Sequence, residues 1–72
     1  MDQNAFFDLF NANSKRFPSW RLGQNLFNTA YGLHPSFADR IRASEADPFQ
    51  ANDWNSESVN LFMERLEREF DG

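Results

Sequence analysis

The chain contains no cysteine and a single histidine, His34, so neither a disulfide nor an ordinary zinc site can hold it together. That absence constrains the fold more than any other feature. A chain of 72 residues buries only about 60% of its unfolded surface, and small domains of this size usually recruit some cross-link or partner. Here the substitute is aromatic mass: nine Phe, two Trp and one Tyr. Each encloses on the order of 150–250 Å² when buried. The set exceeds what one small core is expected to enclose, so part of it is expected at an interface. The length allows one domain, residues 1–72, without internal repeat or low-complexity tract.

Apolar residues recur with helical spacing in four segments. Asp2 is a good N-cap before "QNAFFDLFNA", where Phe6, Phe7, Leu9 and Phe10 cluster. A helix is expected over 3–12, with a ragged turn as far as Phe17, where Pro18 imposes a break. Pro18 then suits the first turn of a second helix over 18–31. On its wheel Trp20, Leu22, Gly23, Leu26, Phe27, Ala30 and Tyr31 fill one half, and Arg21, Gln24, Asn25, Asn28 and Thr29 the other. Gly23 sits in the apolar half, where it costs roughly 1 kcal/mol of propensity and implies a close neighbour. Gly32 reads as a left-handed closing residue, with Pro35 behind it.

"HPSFADRIRAS" reads as a short helix over 35–43 with Phe37, Ala38 and Ile41 inward. "ADPFQANDW" follows as part of an ordered loop over 44–55. The last helix, over 56–70, takes Asn55 as N-cap and Trp54 with Val59 as a hydrophobic staple. Its stripe of Val59, Phe62, Met63, Leu66 and Phe70 is the cleanest in the chain. The expected class is therefore all-α: a compact bundle of three to four short helices. Its structural core is expected to hold Phe6, Phe10, Trp20, Phe27, Trp54, Phe62 and Leu66.

Chemistry finds little to use. An EF-hand starting at Asp47 would place Phe49, Ala51, Asn52 and Ser58 at positions that demand oxygen ligands or glycine. Asp47-Pro48 reads as a turn opener and Asp53 as helix-start chemistry. His34, between Leu33 and Pro35, reads as a turn or capping residue, and Ser19, Ser36, Ser56 and Ser58 stand at helix starts. The acid pairs Glu64–Glu67 and Glu67–Asp71 lie beside arginines on an exposed face. No pocket of ligand size is expected, no catalytic, cofactor or metal site is assigned, and no enzyme activity is expected.

Net charge is −4. Residues 1–36 carry Asp2 and Asp8 against Lys15, Arg16 and Arg21, or +1. Residues 37–72 carry nine acids against Arg40, Arg42, Arg65 and Arg68, or −5. A helix-turn-helix reading through Arg40 and Arg42 is the nucleic-acid alternative, disfavoured by the overall negative charge. The N-terminal "MDQNAFFDLF" lacks the pattern of a secretion signal, and no run is long enough to span a membrane. Protein binding is better supported. The apolar half-wheel of the second helix is broad, Phe6 and Phe7 are adjacent, and Leu61 falls off the stripe of the last helix.

The blocks W-R-x-G-Q-x-L-F-N, H-P-x-x-A-x-x-I-R and D-P-F give a further lead. They comprise Trp20, Arg21, Gly23, Gln24, Leu26, Phe27 and Asn28; His34, Pro35, Ala38, Ile41 and Arg42; and Asp47, Pro48 and Phe49, with Asp53 nearby. The pattern is similar to that of small uncharacterised proteins of tailed bacteriophages and covers about half the chain. It departs from them at Gln50, where Tyr is more frequent. The resemblance brings no activity or cofactor. It implies a bacterial cytoplasm and a partner protein of host or phage, with Arg21, Gln24, Asn28, Arg42 and Phe49 as the expected contacts. Two alternatives stand beside it: a homo-oligomer burying the aromatic surplus, and the nucleic-acid binder.

Overall fold

A computed structural model of the chain describes residues 2–71. It is an all-helical bundle: α1 (Gln3–Arg16), α2 (Leu22–Leu33), α3 (Pro35–Ile41) and α4 (Glu57–Asp71). There is no strand among the described residues. The radius of gyration, 11.0 Å, is what about 2.2·N^0.38 gives for a packed chain of this length.

Each helix boundary has a local cause, and several differ from the expectation. Asp2 caps α1 by accepting from the Asn4 N–H at 3.0 Å. The helix then runs four residues past position 12, to Arg16, because its inner face continues through Asn13 and Ser14. Pro18 does not start α2. It occupies the corner of a turn closed by the Trp20 N–H on the Phe17 carbonyl at 3.0 Å. The Phe17 and Trp20 rings stack over that corner, with centroids 4.2 Å apart. Helix α2 therefore begins at Leu22, with the Arg21 N–H held by Gln24 Oε1 at 3.3 Å.

The other end of α2 corrects the reading of Gly32. That residue is helical, and no glycine takes a positive φ among the described residues. The stop comes at His34, which the following proline excludes from helical geometry. The His34 N–H donates to the Ala30 carbonyl at 2.7 Å, and its Nδ1 accepts from the Phe37 N–H at 3.1 Å. One residue thus closes α2 and opens α3. Helix α3 ends at Ile41 rather than 43. Arg42 is extended and Ala43 is left-handed, with φ 60°, its N–H held by Asp47 Oδ2 at 2.7 Å.

Helix α4 starts at Glu57, behind an Asx turn in which Asp53 Oδ1 accepts the Asn55 N–H at 2.9 Å. That turn consumes the residue expected as N-cap, and the expected staple is lost with it. Trp54 is 50% exposed, its ring 6.1 Å from that of Phe10. It is not a core residue. Trp20 and Phe10 are half-buried at the margin.

The core itself is assembled from all four helices: Phe6 of α1, Leu26, Phe27 and Ala30 of α2, Phe37, Ala38 and Ile41 of α3, and Val59, Phe62 and Leu66 of α4. The stripe read in the last segment is the one that packs. Phe62 bridges the bundle, its ring 6.4 Å from Phe6 and 5.9 Å from Phe37. Phe7 and Leu61, expected to stand outside, are half-buried against this cluster. Phe7 packs edge-on to Phe6 at 5.2 Å, so adjacent rings share the inner face at different depths. The exposed large apolar residues are instead Phe17, Tyr31, Leu33 and Trp54.

The polar half of α2 is also not a solvent face throughout. Asn25 and Thr29 are buried against α1, and hydrogen bonds explain how. Asn25 Nδ2 donates to the Phe10 carbonyl at 3.2 Å and to Ser14 Oγ at 2.9 Å. The Thr29 hydroxyl donates to the Asn25 carbonyl at 2.7 Å and accepts from Asn13 Nδ2 at 3.2 Å. Helices α1 and α2 are therefore joined by a satisfied polar seam.

Candidate functional site: an arginine–aromatic cleft

The site begins with a loop that folds back on α2. Pro48 to Ala51 forms a turn closed by the Ala51 N–H on the Pro48 carbonyl at 2.8 Å. This turn lies directly on Gly23, whose N–H donates to the Ala51 carbonyl at 3.0 Å. A Cβ at Gly23 would stand 1.6 Å from the Pro48 oxygen, so only glycine admits this approach. The close neighbour expected at Gly23 is thus loop backbone. Docking buries Pro48 and Ala46 and sets Phe49 edge-on to Phe27 at 5.9 Å.

Asp47 fixes the rest of the loop. Its Oδ2 accepts the Ala43 N–H at 2.7 Å and its Oδ1 the Phe49 N–H at 3.1 Å. Ser44 Oγ donates to the Ile41 carbonyl at 2.6 Å. Both polar side chains are consumed by backbone, which leaves neither set up as base or nucleophile. Among the described residues no cluster of three His, Asp or Glu side chains could hold a metal ion.

Between this loop and α2 lies an open cleft of about 440 Å³, lined by Phe27, Arg42 to Ser44, Asp47, Phe49 and Gln50. Its size corrects the expectation that so short a chain leaves no recess of ligand dimensions. Arg42 and the Phe27 and Phe49 rings stand in its wall, and Tyr31 and Arg21 pack on them from outside the lining. Arg42 lies over Phe27 at 5.5 Å and over Tyr31 at 5.7 Å, and Arg21 lies 5.7 Å from Phe49. Such contacts are worth about 0.5–1 kcal/mol each when exposed and more when desolvated.

Of the expected contact residues, Arg42 and Phe49 line the cleft, Arg21 reaches Phe49 from outside that lining, and two stand aside. Gln24 is used in capping α2, and Asn28 is half-buried on the same helix without lining the cleft. Replacing Gln24 therefore touches the fold as well as any surface. Phe27 was expected only as core, yet one edge of it walls the cleft. Tyr31, 47% exposed and beneath Arg42, stands beside the cleft without lining it, and is not among the expected contacts. Its signal was its place beside Phe27 on the broad apolar half-wheel.

A second, smaller recess of about 260 Å³ lies between α3 and α4, lined by Phe37, Arg40, Ile41, Arg65, Arg68 and Glu69. Its cations are largely spoken for. Arg40 pairs with Glu69, whose other oxygen is 3.8 Å from His34 Nε2, and Arg65 is 3.4 Å from Glu45. These ends of α3 and α4 also carry the negative poles of their helix dipoles, which the arginines offset.

Comparison with known proteins adds no name to this geometry: no family model, curated protein or solved structure matches the chain. No helix is long and apolar enough to cross a membrane among the described residues.

Proposed function

We propose that this chain is a small helical interaction module, of the kind encoded by tailed phages, that binds and modulates a host or phage protein in the bacterial cytoplasm. The observation that carries the proposal is the row of Arg42, Phe27, Phe49 and Arg21 beside an open cleft. Arginine and aromatic side chains are the residue types that dominate binding energy at protein interfaces. The loop that presents them is pinned by Asp47 and Gly23, so docking on it orders little new chain.

The test is affinity capture from bacterial lysate with the wild-type chain and with Arg42→Gln. Arg42 is exposed, so its replacement should cost about 1 kcal/mol from its ring contacts and lower melting by about 4–8 °C, leaving the chain folded. Loss of a captured protein in the variant supports the reading. Equal capture by wild type, Arg42→Gln and Arg21→Gln refutes this surface.

A homo-oligomer is a second reading, favoured by the exposure of Phe17, Tyr31, Leu33 and Trp54 on so small a chain. Light scattering across a hundredfold dilution decides it, since a strict monomer removes it. The nucleic-acid reading loses support: α3 has only seven residues, and its basic side chains lie against Glu69, Asp39 and aromatic rings.

A further inference from the structure

We infer that His34 is a proton-operated latch at the junction of α2 and α3. Neutral, it fastens the start of α3; protonated, it releases the Phe37 amide and is drawn to Glu69 of α4. The latch works with or without a docked partner. Three observations carry it.

The first is what the imidazole does as an acceptor. The Phe37 N–H donates to His34 Nδ1 at 3.1 Å, and the Ser36 hydroxyl oxygen lies 3.2 Å from the same nitrogen. A backbone N–H only donates, so Nδ1 is bare and the neutral ring carries its proton on Nε2. A second proton can go only to Nδ1. There it meets the Phe37 N–H donor to donor, and the cap is lost. Ser36 can turn its hydroxyl to accept instead, but a backbone amide has no such reversal.

The second is how little else holds that end of the helix. Pro35 has no N–H, and the Ala38 N–H is already bonded to the His34 carbonyl at 3.2 Å. Phe37 is 2% exposed, with its ring 5.9 Å from that of Phe62, so water is a poor substitute for Nδ1. Helix α3 has seven residues, and one turn of about 3.6 residues is half of it.

The third is where the ring goes once charged. Its Nε2 lies 3.8 Å from Glu69 Oε2, the only ion-pair partner of His34 among the described residues. The other Glu69 oxygen pairs with Arg40, so one carboxylate of α4 faces a cation of α3 and the imidazole together. Glu69 attracts the imidazolium and Arg40 repels it. The side chain of His34 is 33% exposed, which gives it room to turn without disturbing the core. Acidification thus exchanges a helix cap for a contact between elements.

His34 is the only histidine, so imidazole signals that change between about pH 8 and pH 5 belong to it alone. The experiment is NMR of the full isotope-labelled chain over that range. It reads the two ring nitrogens, the Phe37 amide shift, and the hydrogen exchange of that amide corrected for its intrinsic pH dependence. At about pH 8, Nδ1 should be unprotonated and Nε2 protonated. On acidification the Phe37 amide should move with the midpoint of the ring and lose about fivefold in protection, with Leu26 as the unmoved reference. His34→Asn keeps a capping oxygen that does not titrate, so its Phe37 amide should stay level across the range, and its melt verifies folding. Glu69→Gln should lower the ring midpoint, because the carboxylate goes and Arg40 stays. A proton on Nδ1 at the alkaline end overturns the latch, as does a Phe37 amide that ignores the ring midpoint. A Phe37 amide that still titrates in His34→Asn overturns it too, by tracing the change to another group. An unmoved midpoint in Glu69→Gln overturns the turn toward α4. Should His34→Asn not fold, the ring and amide midpoints of the wild-type chain decide alone.

Discussion

Replacing Gly23 by alanine tests the joint on which the cleft depends. Gly→Ala inside a helix ordinarily stabilises by roughly 1 kcal/mol. At Gly23 the sign should reverse. The new Cβ would lie 1.6 Å from the Pro48 oxygen, 2.7 Å from the Pro48 carbonyl carbon and 3.0 Å from the Ala51 oxygen. Those are backbone atoms and cannot rotate away, so the turn must retreat by about 2 Å to reach ordinary contact. The retreat breaks the Gly23 N–H bond to Ala51, now 3.0 Å long, and strands a buried donor at about 1–3 kcal/mol. It also lifts Pro48 out of its buried seat and pulls Phe49 from Phe27, an aromatic pair worth about 0.5–1.5 kcal/mol. Set against the gain in propensity, the net loss is about 3 kcal/mol. For a domain of this size that lowers Tm by about 12–24 °C. Gly32, on the same helix, is the internal control. A Cβ there meets only Leu9 Cδ2 at 3.6 Å, so Gly32→Ala should raise Tm by about 4–8 °C. Thermal melts by circular dichroism read both. A Gly23→Ala variant that melts at or above wild type would refute the described seating of the turn.

Three further outcomes are expected. Asn25→Ala removes the donor that binds Phe10 and Ser14, and should destabilise by about 2 kcal/mol in urea titration, whereas a solvent-facing asparagine would cost almost nothing. Phe62→Ala should cost about 3–5 kcal/mol and Trp54→Ala about 1 kcal/mol or less; a larger loss at Trp54 would contradict its exposed position. Asp47→Ala should cost about 2 kcal/mol and Asp47→Asn about half of that, because the amide retains one acceptor oxygen for the Ala43 or Phe49 N–H. A rise in Tm with added calcium would show that Asp47 binds metal instead.

The parts of the fold visible in the sequence are those set by one segment alone. Val59, Phe62 and Leu66 repeat at helical spacing, and that spacing is what α4 buries. Phe37, Ala38 and Ile41 behave likewise in α3. Boundaries were harder where two local rules compete. Gly32 and Pro35 both signal an end to α2, and the proline wins because it forbids helical geometry at His34 while Gly32 merely permits an alternative. Pro18 suits a first helical turn and a β-turn corner equally, and the Phe17–Trp20 stack selects the corner. Asn25 and Thr29 looked like solvent residues because their partners, Phe10, Asn13 and Ser14, belong to another helix. The cleft was legible only in its ingredients. Arg42 and Phe49 stood out in short blocks, but their meeting with Phe27 and Tyr31 depends on a loop docking some twenty-five residues back along the chain.

The contact between Gly23 and the Pro48–Ala51 turn also makes the cleft's existence measurable at one atom. The Gly23 amide proton is shielded by the Ala51 carbonyl and by nothing else in its own helix, since it lies in the first turn of α2. Its hydrogen-exchange rate therefore reports how often the loop lifts away, independently of α2 itself. If that amide exchanges much faster than those of Leu26 and Ala30, the cleft wall assembles and dissolves while the bundle stays folded. If they exchange together, the wall is as permanent as the core beneath it.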